Sequence, residues 1–193
     1  MYKINNNISL KLISLPDVDE IYSLIEESKD HLTKWLPWVD SVVKPEDMES
    51  VVKTWIKMYD DNNGFQTVIL YNNKIIGSIG LMGIDWRIRQ ASIGAAWIVR
   101  EWEGTGMISK SVQKLIKYSF GELNLNRIEI CCAVNNFKSQ RIPERFDFHQ
   151  DGIIRDGEYV NDQYHDVAVY SLLKREWYHT KSADELIQSK HNQ

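Results

Sequence analysis

The stretch Glu103-Gly104-Thr105-Gly106-Met107-Ile108-Ser109 decides how this chain is read. It follows a run, Ala91 to Val99, that reads as a strand, and it opens a run, Gly106 to Phe120, that reads as a helix. A loop of small residues there leaves several backbone N–H groups unpaired at the helix N-terminus. Those donors and the positive end of the helix dipole suit a phosphate. Glycine lets the backbone approach an anion with no Cβ in the way. The same residues also suit an ordinary glycine turn before a helix.

The 193 residues suit one domain, assigned to residues 1–178, followed by a polar tail over 179–193. A hydrophobic fraction of 43% and a charged fraction of 26% argue against disorder. The net charge of −4 excludes a nucleic-acid footprint, which needs clustered Lys and Arg. No apolar run is long enough for a membrane helix, and the N-terminus lacks the apolar segment of a secretion signal. Cys131 and Cys132 are adjacent in an expected strand, with side chains on opposite faces, which disfavours a disulfide between them. Two thiols alone are too few for a metal site, and no metal is expected. They read as core fillers in a reducing cytoplasm.

Outward from the loop, the pattern alternates between two periods. Ile8, Leu10 and Leu12 mark a first strand. Leu15-Pro16-Asp17 starts a helix, and Lys44-Pro45-Glu46-Asp47 starts another, with Pro and acids in the first turn. Phe65–Tyr71, Lys74–Ile84 and Ala91–Val99 read as three strands, with Asn72-Asn73 as a hairpin turn. After the glycine loop and its helix come a strand (Arg127–Val134), a short helix (Phe137–Phe146) and strands at Gly152–Tyr159 and Val167–Leu173. Hairpin-linked strands followed by strand–helix–strand crossovers predict an α/β (α+β) domain with a mixed sheet.

That order, with a Gly-x-Gly loop after the fourth strand, resembles the GCN5-related N-acetyltransferase (GNAT) family over about residues 8 to 177. Several segments resemble the branch that acetylates N-termini of ribosomal proteins. They are His31-Leu32-Thr33-Lys34-Trp35-Leu36-Pro37-Trp38, Leu123-Asn124-Leu125-Asn126-Arg127-Ile128-Glu129-Ile130, and Asn136-Phe137-Lys138-Ser139 with Arg141, Glu144 and Phe148. Arg155-Asp156-Gly157-Glu158-Tyr159 and Tyr170-Ser171-Leu172-Leu173-Lys174-Arg175-Glu176-Trp177 complete the set. Three places depart from the pattern. Glu101 stands where Gln or Arg is usual, with Arg100 beside it to take the cationic role. Phe146-Asp147-Phe148 replaces Leu-Gly-Phe. Gly94-Ala95-Ala96-Trp97 replaces Gly-Tyr-Trp, which suggests a bulge or a register shift.

The resemblance implies a mostly antiparallel seven-stranded sheet flanked by about four helices. Acetyl-coenzyme A (acetyl-CoA) would lie in a V between the fourth and fifth strands. Backbone groups of Ile98 and Val99 would pair with its pantetheine amides. An N–H of the same strand would polarise the thioester carbonyl, worth roughly 3–4 kcal/mol. The N–H groups of Gly104, Thr105, Gly106, Met107, Ile108 and Ser109 would hold the pyrophosphate, and Asn136 would anchor the pantetheine arm.

Glu158 is the candidate general base, acting through a water; the alternative is a solvated strand carboxylate. Glu129 and Glu101 compete for the role, and Glu129 alternatively orients the acceptor. Ser139 is the candidate proton donor to the departing thiolate, or else the N-cap of its helix. Trp35 and Trp38 would wall an acceptor pocket, or serve packing or a dimer contact.

The expected activity is transfer of acetyl from acetyl-CoA to a primary amine, foremost the α-amine of a (ribosomal) protein N-terminus, in the cytoplasm. The branch resemblance suggests a homodimer. The other readings are acetylation of a small amine (a polyamine, an aminoglycoside or an amino acid) and a non-catalytic acyl-CoA-binding module.

Overall fold

The computed structural model describes residues 2–179. Its strands are Tyr2–Lys3 (β1), Ile8–Leu12 (β2), Gly64–Tyr71 (β3), Lys74–Asp85 (β4), Gln90–Ile98 (β5), Arg127–Ala133 (β6), His149–Val160 (β7) and Gln163–Leu173 (β8). Its α-helices are Val18–Leu32 (α1), Pro45–Asp60 (α2), Met107–Gly121 (α3) and Phe137–Arg145 (α4). The strands form one sheet in the order β1-β2-β3-β4-β5-β6-β8-β7. Only β5 and β6 run parallel; the other neighbours are antiparallel. The sequence pattern supports seven strands, and the eighth is β1. Its two residues pair with Ser9 and Leu10, and they are too few to show an alternation. The tail assigned to 179–193 lies outside the described residues, apart from His179 at the end of a helical segment over 174–179.

Local chemistry explains where elements begin. Ahead of α1, the Ser14 N–H and hydroxyl both donate to Asp17 Oδ2, at 2.9 and 2.8 Å. Ahead of α2, the N–H groups of Val43 and Lys44 donate to Asp47 Oδ2, each at 3.1 Å, and Pro45 takes the first helical position. Asn72 and Asn73 both have positive φ, +48° and +66°, as a two-residue hairpin turn requires.

Helices cover both faces of the central strands. Phe65 packs edge-on against Tyr118 of α3, with centroids 5.7 Å apart. Its neighbour Gln66 points the other way and lines a small cavity with Trp55 and Ile56 of α2. The core between the layers holds Ile21, Ile25, Met48, Ile69, Ile79, Leu81, Leu115, Ile116 and Phe120, all fully buried. Strand β7 is different: it is the outer edge, and Ile153 and Ile154 are each 54% exposed.

Two departures from the expected pattern are absorbed by the backbone. Ser78 faces Trp97 and Gly80 faces Gly94, so Ile79 alone opposes Ala95 and Ala96. This is a β-bulge, with Ala95 at φ +46°. Asp147 stands at φ +55° in the turn that leaves α4, the left-handed conformation that Asp tolerates. A β-branched residue does not tolerate it. Asp147→Val is expected to cost about 1–2 kcal/mol, read as a lower urea midpoint at unchanged m-value.

Candidate active site

The site begins where β5 and β6 part. Their pairing spans Gln90–Arg127, Ala91–Ile128 and Ser92–Glu129, and stops there. Beyond Ser92 and Glu129 the two strands diverge into a V. On the β5 side, the Val99 N–H donates to Ile76 O at 2.9 Å, so Val99 is tied to β4. The adjacent residue, Ile98 opposite Gly77, must then turn its N–H and C=O away from β4 and into the V. By the same alternation Ala96 shares that edge. Of the two residues assigned to pantetheine, Ile98 turns its N–H and C=O away from β4, and its carbonyl lies within reach of His31 Nε2. Val99 spends both groups elsewhere, because its carbonyl also accepts from Trp102 N at 3.0 Å.

The strand leads through a short turn, Arg100–Trp102, to two glycines at φ +72° (Gly104) and +80° (Gly106). Gly106 is the N-cap of α3 and has no side chain to cap it. The helix ladder begins with Lys110 N donating to Gly106 O at 3.0 Å. The N–H groups of Met107, Ile108 and Ser109 precede that bond and have no acceptor within the helix ladder, the arrangement that suits an anion. Thr105 is exposed, and its hydroxyl and N–H both donate to Trp102 O, at 2.6 and 3.4 Å. Arg100 is exposed, and Arg145 of α4 donates to Ser109 Oγ at 2.8 Å, which places a second cation beside the first turn. Nothing in the sequence flags Arg145, 36 positions away.

The acids near this loop are neutralised or averted. Trp102 Nε1 donates to Glu101 Oε1 at 2.7 Å, and Glu101 lines a cleft with Glu20, Tyr71 and Lys74 beside β4. Glu103 pairs with Lys138 at 2.9 Å, and His31 Nε2 stands 3.7 Å from it. The Lys138 hydrogen bond holds the Glu103 carboxyl below its ordinary pKa against the opposing effect of burial. His31 Nε2 also lies 3.4 Å from Ile98 O.

On the β6 side, alternation sorts the chemistry onto two faces. Cys132 is buried against α4, within hydrogen-bond reach of Ser139. Burial pushes its thiol up to about 11. Asn136, not Ser139, caps α4: Asn136 Oδ1 accepts from Ser139 N at 3.2 Å. That leaves the Ser139 hydroxyl outside the cap. Cys131 faces the other way and is exposed, so the core role expected for both thiols holds for Cys132 alone. Partial desolvation by its surroundings, then the charge of Glu129, raises the Cys131 thiol, and Glu158 adds to it. Glu129, Cys131 and Glu158 therefore share one face. Glu158 is half-buried in β7 opposite His165 of β8.

Glu129 is anchored. Its Oε1 accepts from Arg127 Nη2 at 2.6 Å, and Arg127 Nη2 also donates to Asp151 Oδ2 at 2.6 Å. Asp151 Oδ1 accepts from Ser171 Oγ and faces His149 Nδ1, both at 3.0 Å. Among the described residues no ion pair involves Glu158. The tryptophans face different neighbours. Trp35 lies 6.5 Å from the His165 ring, whereas Trp38 packs edge-on against Trp55 of α2 at 5.7 Å. Trp38 thus serves packing, and Trp35 alone reaches the sheet beside Glu158. Asn161, in the β7–β8 turn, donates to Thr33 O at 3.4 Å and ties that wall to the end of α1.

Burial opposes ionisation of Asp151, but hydrogen bonds from Arg127, Ser171 and His149 outweigh it and hold the carboxyl at about 2. A depressed carboxylate stabilises the fold above its unfolded pKa near 4, and the benefit is lost as pH falls through about 2. Denaturant melts are expected to show stability falling between about pH 4 and pH 2. Asp151→Asn should flatten that portion of the profile.

Comparison with known proteins places this geometry. Residues 7–149 match the acetyltransferase (GNAT) domain family. The chain is 41% identical over 176 residues to "Putative ribosomal N-acetyltransferase YdaF" of Bacillus subtilis (strain 168), covering 91% of this chain and 96% of that one. It is 28% identical over 171 residues to the ribosomal-protein-serine acetyltransferase of Escherichia coli (strain K12), covering 89% and 95%. Among solved structures, the microcin self-immunity acetyltransferase MccE in complex with acetyl-CoA and AMP superposes with a TM-score of 0.83 at 27% identity, covering 89% of this chain and 94% of that one. The chain belongs to the GNAT acetyltransferase family and is an acetyl-CoA-dependent N-acetyltransferase.

Proposed function

We propose that this GNAT enzyme acetylates the α-amine of a protein N-terminus, with ribosomal proteins among its acceptors. One observation carries the reading. Glu129 of β6 and Glu158 of β7 lie on one face of the sheet, and Ser139 lies against the other. An amine approaching from the Glu158 face attacks the thioester carbonyl in the V. The thiolate departs toward the Ser139 face. Each of the two proton transfers that direct transfer without an acyl-enzyme needs then has its own group within the cleft.

Binding follows the same geometry. Ile98 extends the sheet toward the pantetheine amides, the N–H groups of Met107, Ile108 and Ser109 meet the pyrophosphate, and a β5 N–H polarises the carbonyl. Glu158 takes the amine proton through a water. An α-amine has an ordinary pKa near 8, so losing its proton near pH 7 takes modest help. Glu129 is engaged by Arg127 and orients the ammonium rather than acting as base. Ser139 donates to the sulfur. Trp35 and His165 form the outer wall of the acceptor cleft.

The names of the relatives support a ribosomal acceptor. The acidic face also suits a small polycation, so polyamines belong in the test. A non-catalytic acyl-CoA-binding module would follow from a loop or turn spoiled by Glu101 or Asp147. Glu101 is instead engaged by Trp102 Nε1, and Asp147 adopts the left-handed backbone its turn needs.

The test is steady-state release of coenzyme A with peptides bearing N-terminal Ser, Ala or Met, beside spermidine and an aminoglycoside, with products read by mass. Peptide turnover with acetyl on the α-amine is expected. Turnover of small amines alone would replace the reading. In the same assay Glu158→Gln should lower kcat by roughly 10²–10⁴-fold. Full turnover by that variant would remove Glu158 as the base.

A further inference from the structure

We infer that Gln66 is a positioning residue for acetyl transfer: its side chain clamps the Ala95 bulge and so sets the edge of β5 that faces the thioester. Gln66 lies on β3, two strands away from the V, and is 1% exposed. Gln66, Gly80 and Gly94 occupy one row across β3, β4 and β5. The Gln66 side chain crosses the sheet over Gly80 and donates from Nε2 to Ala95 O at 3.0 Å. Nε2 also meets Ser78 Oγ, a fully buried hydroxyl on β4. Gly80 has no alternative here, because a Cβ on it would collide with Gln66 Oε1.

The choice of a buried glutamine needs a reason. Oε1 has no hydrogen-bond partner, and an unpaired buried amide oxygen costs stability. Turning the amide over would set Oε1 against the Ala95 carbonyl, acceptor against acceptor. The donor role toward Ala95 therefore fixes the orientation. An apolar residue would avoid the orphaned oxygen, but it would leave the Ala95 carbonyl without that donor.

What the clamp holds is a strained residue. Ala95 has φ +46°, a conformation unfavourable for a residue with a Cβ. Relaxing it to an extended conformation would return Ala95 to the strand and shift the alternation of every residue that follows. Ala96 and Ile98 would then turn their N–H and C=O groups from the V toward β4. The bulge decides which backbone groups acetyl-CoA meets, and Gln66 holds the bulge from the α2 face without touching the substrate.

The inference rests on acetyl-CoA as the donor and not on the identity of the acceptor, so its first readout needs no acceptor. The carbonyl stretch of ¹³C-acetyl-CoA bound to the enzyme should lie below that of the free thioester, and Gln66→Met should move it back toward the free value. Calorimetric affinity for coenzyme A, which lacks the acetyl carbonyl, should change less than about threefold, while kcat with the best acceptor falls about 10- to 100-fold. Ala95→Gly removes the cost of the left-handed backbone. Adding it to Gln66→Met should recover most of the lost carbonyl shift and kcat, and it gives a second background in which to obtain folded protein. An unmoved carbonyl band in Gln66→Met would overturn the inference. So would equal losses of coenzyme A affinity and kcat, or a double variant that regains folding without regaining the shift.

Discussion

The separation of β5 from β6 after three paired residues is the constraint on which the site depends. Two parallel strands in one sheet would normally keep exchanging hydrogen bonds to their ends. Here the exchange stops at Ser92 and Glu129, and each strand is held by its other neighbour. β5 stays on β4 through Val99 and Ile76, while β6 stays on β8 from Arg127–Leu173 to Ala133–Val167. Backbone groups left on the inner edges need partners. A ligand bearing amides can supply them by acting as a strand, which gives main-chain affinity without side-chain specificity. The base of the V is pinned by charge: Arg127 bridges Glu129 on its own strand to Asp151 on β7.

The same divergence converts one-residue alternation into a separation of chemical roles. Cys131 and Cys132 are neighbours in sequence, yet one looks toward Glu129 and Glu158 and the other toward Ser139. In a sheet covered on both faces this would be a packing detail. At the open end of a V it means that a group in the cleft can be approached from one side and left from the other. The helix layers reinforce this. The end of α1 and the β7–β8 turn meet through Thr33 and Asn161, and Trp35 reaches His165, so the acidic face is roofed at its far end. On the opposite face, α3 and α4 are joined by Arg145 and Ser109.

Most of the fold could be read from the chain because its elements announce themselves locally. The glycine loop, the Asn72-Asn73 turn and the Pro45 start each rest on contacts within a few residues. β1 was not legible, since two residues show no period. The site was legible in part. Gly104, Gly106 and the first turn of α3 follow from backbone chemistry, and Ile98 follows from its place before them. Val99 and Thr105 spend backbone groups on particular partners, Ile76 and Trp102, and Trp38 packs on Trp55, the second of the two parts its sequence allows; none of these contacts can be read from position in a motif. Gln66, Arg145 and Asp151 were invisible for the converse reason: each acts across 20 or more positions, where periodicity carries no information.

The pair Asn136 and Ser139 shows how far a local motif can go. Three-residue spacing at a helix start places a side-chain oxygen against a backbone N–H, and either residue type is a good cap. Sequence alone leaves open which residue caps. The structure assigns the cap to Asn136, so Ser139 becomes the third residue of α4 with its N–H satisfied and its hydroxyl outside the cap. Four residues on, Pro143 has no N–H to offer the Ser139 carbonyl, and the helix ends two residues later at Arg145. A short helix with a firm start and a weak middle orients Ser139 from its N-terminal side alone. The cap is therefore what aims the hydroxyl at the face that holds Cys132, and the spacing of the motif serves the chemistry by way of the backbone.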